Sequence, residues 1–282
     1  MSNRETTMQG YPPEKHFMRD LRIVFENGSG ARRMLIPLAA PLLNDAGSLD
    51  LGVAATLLDI QGGGDAISAV QPDWAVTSDM TLHLLRPVSS GVVVGRSQVL
   101  RAGRNTVVLQ GELLVEGDER PVVQSQLGFT RIVRREDTPS FGAESPARVD
   151  FGADGSSFKE SFFAELGLCE IDAERGALEL AVTDYHRNSL GALQGGLVVA
   201  IASQAAEVIG RSHSGLPLVT TDLSAHYMAM GKVGPIRSEA RVLRADADAV
   251  VSRIELRDCG ANDRLCTVVT ATARVFGVEA SS

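Results

Sequence analysis

The chain has 282 residues, 44% hydrophobic and 22% charged, a composition that suits a globular protein with a sizeable core and excludes a disordered or collagen-like chain. Length alone allows about two domains of roughly 150 residues. With 27 Lys and Arg against 35 Asp and Glu the formal charge is -8, which argues against sequence-independent nucleic-acid binding and leaves any anionic ligand dependent on a local basic patch.

Taken in chain order, residues 1–15 are polar and are expected to form a flexible tail. They lack the apolar run of a signal peptide, so a cytoplasmic protein is expected. A first unit over 16–134 contains Asn44-x-x-Gly47, then an apolar stretch at 51–60 that predicts a helix buried on every side, with Gly62-Gly63-Gly64 as its stop signal. β-branched runs at 76–85, 91–101, 106–115 and 122–132, separated by turn chemistry, predict strands. Residues 135–160 are rich in turn formers and charge and read as a linker. A second unit over 161–278 repeats the order: Asn188-x-x-Gly191, a helix at 196–209 stopped at Gly210, and strands at 219–228, 235–243, 249–256 and 265–276. The uncharged run 189–206 nears membrane-spanning length, but Gln194, Ser203 and its glycines favour a buried helix, and no membrane association is expected.

The two units are copies. Val76-Thr77-Ser78-Asp79 and His83 recur as Val219-Thr220-Thr221-Asp222 and His226, and Val99-Leu100-Arg101-Ala102 recurs as Val242-Leu243-Arg244-Ala245, each 143 residues later. Asn44-x-x-Gly47 recurs as Asn188-x-x-Gly191, 144 residues later. Helix followed by a meander, twice, is an α+β architecture: antiparallel sheet wrapped around a long buried helix. Repetition of His83 and His226 on a strand suggests packing at an interface.

Three features bear on chemistry. Asp59 is the one charge in the first buried helix, and a buried carboxylate needs a partner or a purpose; a helix-end carboxylate that reaches water is the competing reading. Gln194-Gly195-Gly196 opens the second helix, where free N–H groups at the positive dipole end suit a carbonyl or oxyanion, although a tight turn would use the same glycines. Cys169, Cys259 and Cys266 form no C-x-x-C pair, so neither a disulfide framework nor a zinc site is expected.

The pattern N-x-x-G-x-x-[H/Q]-G-G before an apolar helix, with the later segment Thr81-Leu82-His83-Leu84-Leu85-Arg86-Pro87, resembles the PaaI-like (phenylacetyl-CoA) hot-dog thioesterases, here in tandem form. The resemblance covers most of the chain and implies two hot-dog domains packed as an intramolecular pseudo-dimer. It further implies one active site between them for hydrolysis of an acyl-CoA thioester, without a cofactor or metal. Carried onto this sequence, the family's carboxylate falls on Asp59 (general base or nucleophile) and its strand hydroxyl on Thr81. Its positioning asparagine falls on Asn188 and its carbonyl-polarising N–H on Gly195, with Gln194 and Gly196 beside the substrate. Gln194 replaces the usual His. The reciprocal site, Asn44, Leu51, Ser203 and Ser224, lacks a carboxylate and is expected to be degenerate.

Coenzyme A is polyanionic, and Arg101, Arg104, Lys232, Arg237 and Arg244 are candidates for its patch, with solvated turn charges as the alternative. Analogy implies a homodimer of four hot-dog units. The rival readings are a hot-dog enoyl-CoA hydratase or dehydratase, whose paired His would fall on Gly64, and a non-catalytic acyl-CoA-binding protein.

Overall fold

The computed structural model describes residues 11–28, 32–135 and 146–275. The first repeat opens with α1 (Phe17–Asp20), β1 (Val24–Glu26) and β2 (Arg33–Pro37). It continues through the long helix α2 (Leu51–Val70) to β3 (Trp74–Leu84), β4 (Val92–Ala102), β5 (Thr106–Val115) and β6 (Asp118–Ile132). After β7 (Arg148–Asp150), the second repeat follows the same plan with α3 (Phe162–Glu165), β8 (Cys169–Asp172), β9 (Ala177–Leu180) and α4 (Gly195–Ser214). It ends in β10 (Leu218–Tyr227), β11 (Ile236–Ala245), β12 (Ala249–Asp258) and β13 (Arg264–Val275). The last strand was expected to reach 276, which lies outside the described residues, as do 1–10 of the expected tail and 136–145 of the expected linker.

All thirteen strands join one antiparallel sheet in the order β7-β1-β2-β4-β5-β6-β3-β10-β13-β12-β11-β9-β8. The repeats meet where β3 pairs β10, with Thr81 opposite Ser224 and His83 opposite Asp222. Thr81 and Ser224 are repeat mates, so the pseudo-twofold axis passes between them. His83 Nδ1 lies 2.8 Å from Asp222 Oδ1, a seam contact of the kind its repetition suggests.

The long helices α2 and α4 pack on each other and each on the strands of its own repeat. Their close approach requires glycine. A Cβ at Gly52 would stand 2.9 Å from the Ala200 Cα, and one at its mate Gly196 would overlap the Thr56 Cα. Residues 51–62 of α2 and 196–203 of α4 are buried, as the apolar runs require.

Both expected helix stops are corrected. Gly62-Gly63-Gly64 lies inside α2, which runs on to Val70 and ends where Gln71 precedes Pro72, a position that disfavours the helical backbone. Interior glycines cost about 1 kcal/mol each relative to alanine, and space explains two of the three. A Cβ at Gly62 would come within 2.5 Å of Leu127 Cδ1, and one at Gly64 would overlap the Arg32 guanidinium. Helix α4 likewise passes Gly210 and stops at Gly215, which adopts φ +71 and returns its N–H to Arg211 O.

The boundaries also move. The elements before each long helix, of three to five residues, were not legible in the sequence. Within the expected linker, β7 pairs β1, with Phe25 opposite Val149. Within the expected tail, Tyr11 donates its hydroxyl to Arg187 O at 3.2 Å, tying the start of the first repeat to the second.

Candidate active site

Asp59 sits in the third turn of α2, 5% exposed, facing the start of α4. Its Oδ2 accepts from Gln194 Nε2 at 2.6 Å and from the Gly196 N–H at 3.0 Å, both in the other repeat. Its Oδ1 accepts from Thr77 Oγ1 at 2.6 Å. Burial pushes the Asp59 carboxyl above the usual carboxylate range, opposed by these three donors, Thr77 most strongly. A carboxylate offers about four acceptor sites, so three donors leave room for one more hydrogen bond.

The Gln194 amide is oriented by helix capping. Its Oε1 accepts from the Gly196 and Leu197 N–H groups at 2.8 and 3.3 Å, which turns the amide nitrogen toward Asp59. Gly195 is glycine because a Cβ there would stand 2.9 Å from both Asp59 Oδ2 and Thr77 Oγ1. Its C=O accepts from the buried Tyr227 hydroxyl at 2.8 Å, and its N–H has no acceptor among the described residues. A free N–H at a helix N-terminus beside a carboxylate can polarise a carbonyl.

Two sequence assignments change. Thr81 is not the hydroxyl on Asp59; Thr77 is. Thr81 lies opposite its own repeat mate on the pseudo-twofold axis, midway between the two sites rather than in one of them. Ser224, placed in the degenerate site, is its partner there. Asn188 lines the cavity, but its Oδ1 is occupied by the N–H groups of Leu190 and Ala192 at 2.9 and 3.1 Å. Asn44 closes the same turn with Ala46 and Ser48 at 3.0 and 3.1 Å. The asparagine of N-x-x-G therefore builds the loop before the helix in both repeats.

A cavity of about 480 Å³ opens beside Asp59, Thr77, Gln194 and Gly195. One lobe is formed by second-repeat loops around Asn188–Ala192 and Met228–Gly231. The other is apolar: Phe25, Ile60, Ile67, Trp74 and Phe129 of the first repeat, with Phe151 from the segment after β7. Arg32 is the one basic residue on its wall, and no histidine lines it among the described residues. Sequence reasoning missed Arg32, Thr77 and Tyr227. Of the five basic candidates, Arg237 pairs with Glu179 at 2.6 Å and Arg244 with Asp246 at 3.0 Å. Arg101 and Arg104 are not on the wall, and Lys232 is exposed next to wall residue Gly231.

The pseudo-symmetric position holds a second cavity of about 310 Å³, lined by Asn44, Asp50, Phe163, Leu168, Glu207 and Val208 among others. Leu51 stands where the first site has Gly195, and the buried Ser203 Oγ has no hydrogen-bond partner. The expectation that this side lacks a carboxylate is corrected: Glu207, one turn beyond Ser203, is buried on its wall. Its Oε1 accepts from Thr220 N–H at 2.8 Å, and Thr220 is the mate of Thr77. Burial, then the nearby Asp50, pushes the Glu207 carboxyl up to about 8, while burial raises Asp50 to about 6. Asp50 stands where the first site has Gln194 and caps α2 with Oδ1, at 2.7 and 3.2 Å from the Gly52 and Val53 N–H groups. An ionised carboxylate cannot donate as the Gln194 amide does, so this cavity carries two neighbouring acids where the first site pairs one acid with an amide donor.

No helix among the described residues is long and apolar enough to cross a membrane, and no cluster of three potential metal ligands occurs among them. The fold and site define a tandem hot-dog protein with one donor-held carboxylate between its repeats. The model of the thioesterase superfamily matches the chain twice, over residues 51–122 and 190–262, and the chain belongs to that superfamily, whose class activity is thioester hydrolysis. No curated protein matches it. Among solved structures, a Thermobifida fusca YX protein assigned as a thioesterase II is 20% identical (TM-score 0.60), over 94% of this chain and 99% of that one. A hot-dog protein of Alicyclobacillus acidocaldarius is 12% identical over 93% and 98% (TM-score 0.60). An acyl-ACP thioesterase of Bacteroides thetaiotaomicron is 10% identical over 86% and 97% (TM-score 0.57). At these identities the likeness is one of fold.

Proposed function

We propose that the protein hydrolyses an acyl-CoA thioester at the Asp59 site. The observation that carries this reading is the carboxylate of one repeat held by the capping glutamine and the Gly196 N–H of the other, at the edge of an apolar cavity. The thioester carbonyl would accept from the Gly195 N–H, where the α4 dipole also favours developing negative charge. Asp59 would use its remaining acceptor site to hold the attacking water and take its proton as general base. Thr77 and Gln194 orient that carboxylate, and Asn188 shapes the loop beside it. Without a histidine on the wall, a hydratase-type acid–base pair has no second member. No cofactor or metal enters this chemistry.

The test is steady-state hydrolysis of short, medium, long and aromatic acyl-CoAs. Asp59→Asn, which keeps the shape and removes the base, should lower kcat by about 10²–10⁴. Because burial raises the Asp59 carboxyl and only its ionised form can act as base, kcat/KM should climb with pH through a value above the ordinary carboxylate range, then level off. Absence of activity on the whole panel, or full activity in Asp59→Asn, would overturn the assignment. We also propose a homodimer in the cytoplasm. Exposed Leu100 and its exposed repeat mate Leu243 offer apolar surface for such a contact, and light scattering at the monomer mass would refute it.

A further inference from the structure

Arg32 is out of place on the wall of the apolar lobe. It lies against α2 about 1.4 turns beyond Asp59, in the space that Gly64 leaves by having no side chain. Its Nη2 donates to Gln61 O at 2.7 Å, and its Cζ stands 4.5 Å over the Phe25 ring. These contacts fix the plane of the guanidinium. Its Nε lies 3.3 Å from Asp65 Oδ1, yet no hydrogen bond satisfies that buried nitrogen. Asp65 does not depend on Arg32 alone, because Gln61 Nε2 and Ser97 Oγ both donate to its other oxygen. Nη1 has no hydrogen-bond partner among the described residues, on a residue that faces the cavity.

The wall residues it touches are Phe25 and Gly64, so an unsubstituted alkyl chain lying there would bury a guanidinium edge against hydrocarbon, at a desolvation cost. A planar fork with unused donors matches a carboxylate. Along the α2 axis the step from Asp59 to Gly64 is about 7.5 Å, and Asp59 and Arg32 line the same cavity, so an acyl chain lying in it can run from one to the other.

We propose that Arg32 forms an anion subsite in the acyl lobe, and that the substrates are short acyl thioesters carrying a distal carboxylate. This rests on the reading of Asp59 as the hydrolytic centre and of the first-repeat lobe as the acyl side. The carboxylate would bind the open Nη1 edge while Gln61 O and Asp65 keep the rest of the guanidinium in place. Hydrolysis would then release a dicarboxylic acid and the free thiol.

The test compares glutaryl-CoA with hexanoyl-CoA, and in parallel the binding of S-(4-carboxybutyl)-CoA and S-pentyl-CoA by calorimetry, which needs no turnover. The wild-type protein should favour the carboxylated member of each pair. Arg32→Met, which keeps an unbranched apolar stem, should lose about tenfold to a hundredfold on glutaryl-CoA, the range for a charge-assisted hydrogen bond, and hold or gain on hexanoyl-CoA. Arg32→Lys, which keeps the charge without the fork, should recover part of the loss. A wild-type preference for hexanoyl-CoA, or equal losses on both substrates in Arg32→Met, would overturn the subsite. Pantetheine thioesters distinguish the other source of anion: if the effect of Arg32→Met disappears on them, Arg32 reads a coenzyme A phosphate and the proposal fails. Selective binding of the carboxylated thioether without hydrolysis of any thioester would support the subsite and sink the hydrolase reading instead.

Discussion

Replacing Glu207 by Gln should stabilise the protein, and increasingly so as the pH rises. Glu207 is 3% exposed, its Oε1 accepts from the Thr220 N–H, and burial and the nearby Asp50 push its carboxyl from an ordinary 4.5 up to about 8. Arg211 draws it down and Asp45 up, and these two pair with each other at 2.9 Å. A folded state that binds a proton more tightly than the unfolded chain is stabilised where both are protonated. That stability drains away above about pH 4.5 and levels off beyond about 8. At ~1.4 kcal/mol for each tenfold change in proton affinity, a carboxyl raised in this way costs on the order of a few kcal/mol at alkaline pH. Gln keeps an oxygen for Thr220 and has no proton to lose, so the variant should escape most of that decline. Urea denaturation at about pH 5, 7 and 9 would measure it. The two proteins should be nearly equal at the lowest pH and separate by a few kcal/mol at the highest, with the Asp50 titration near 6 left in the variant. Parallel stability curves, or a variant weaker than wild type at alkaline pH, would refute the claim that the second cavity holds a destabilising acid pair.

Thr77→Val should lower kcat for acyl-CoA hydrolysis by about tenfold or more, through loss of a charge-assisted hydrogen bond to the carboxylate, whereas Thr81→Val, on the seam axis, should leave kcat near wild type; the reverse ranking would restore the sequence-based assignment. Gly195→Ala places a methyl group 2.9 Å from both Asp59 and Thr77 and should cost activity by an order of magnitude or more with the thermal midpoint little changed, since only the carboxylate and hydroxyl must move. An active Gly195→Ala would mean that the Asp59 carboxylate is not held against the start of α4.

The architecture was legible because it is written twice. A buried helix leaves an unbroken apolar run, a strand leaves alternation, and an offset of about 143 turns weak signals into one strong one. Elements of three to five residues leave neither signal, so β1, β2, β8 and β9 were invisible. The glycines misled for a reason of packing: Gly62 and Gly64 make room for Leu127 and Arg32, contacts that are distant in sequence and carry no local mark. At the site, Asp59 and Gln194 were readable because each breaks a local rule, a charge in an apolar helix and an amide before two glycines. Thr77 was missed because which hydroxyl reaches across depends on strand register, and β3 shifts register against β6 between Thr77 and Asp79. Its mate Thr220 was a usable signal, since that hydroxyl keeps contact with the helix by donating to Ser203 O at 3.0 Å. Glu207 left no mark in the repeat because it lies one turn past the position equivalent to Asp59, where the first copy has Gly63.

Around the two cavities, four pairs of repeat mates differ in the same sense. Asp59 faces donors, while its mate Ser203 is an orphaned hydroxyl. Gln194 can cap a helix with its oxygen and donate with its nitrogen, whereas Asp50 can only cap while ionised. Gly195 leaves an N–H open to the cavity, and Leu51 fills that place. Gly63 opens the larger cavity, and its mate Glu207 narrows the smaller one with a second acid. A single change cannot restore the second site: a carboxylate at position 203 would join Asp50 and Glu207 without the amide donor that Gln194 gives Asp59, raising the cost of burial instead of creating a base. The donors and the space must change together, and this is why the working site we propose is a single one between the two halves of the chain.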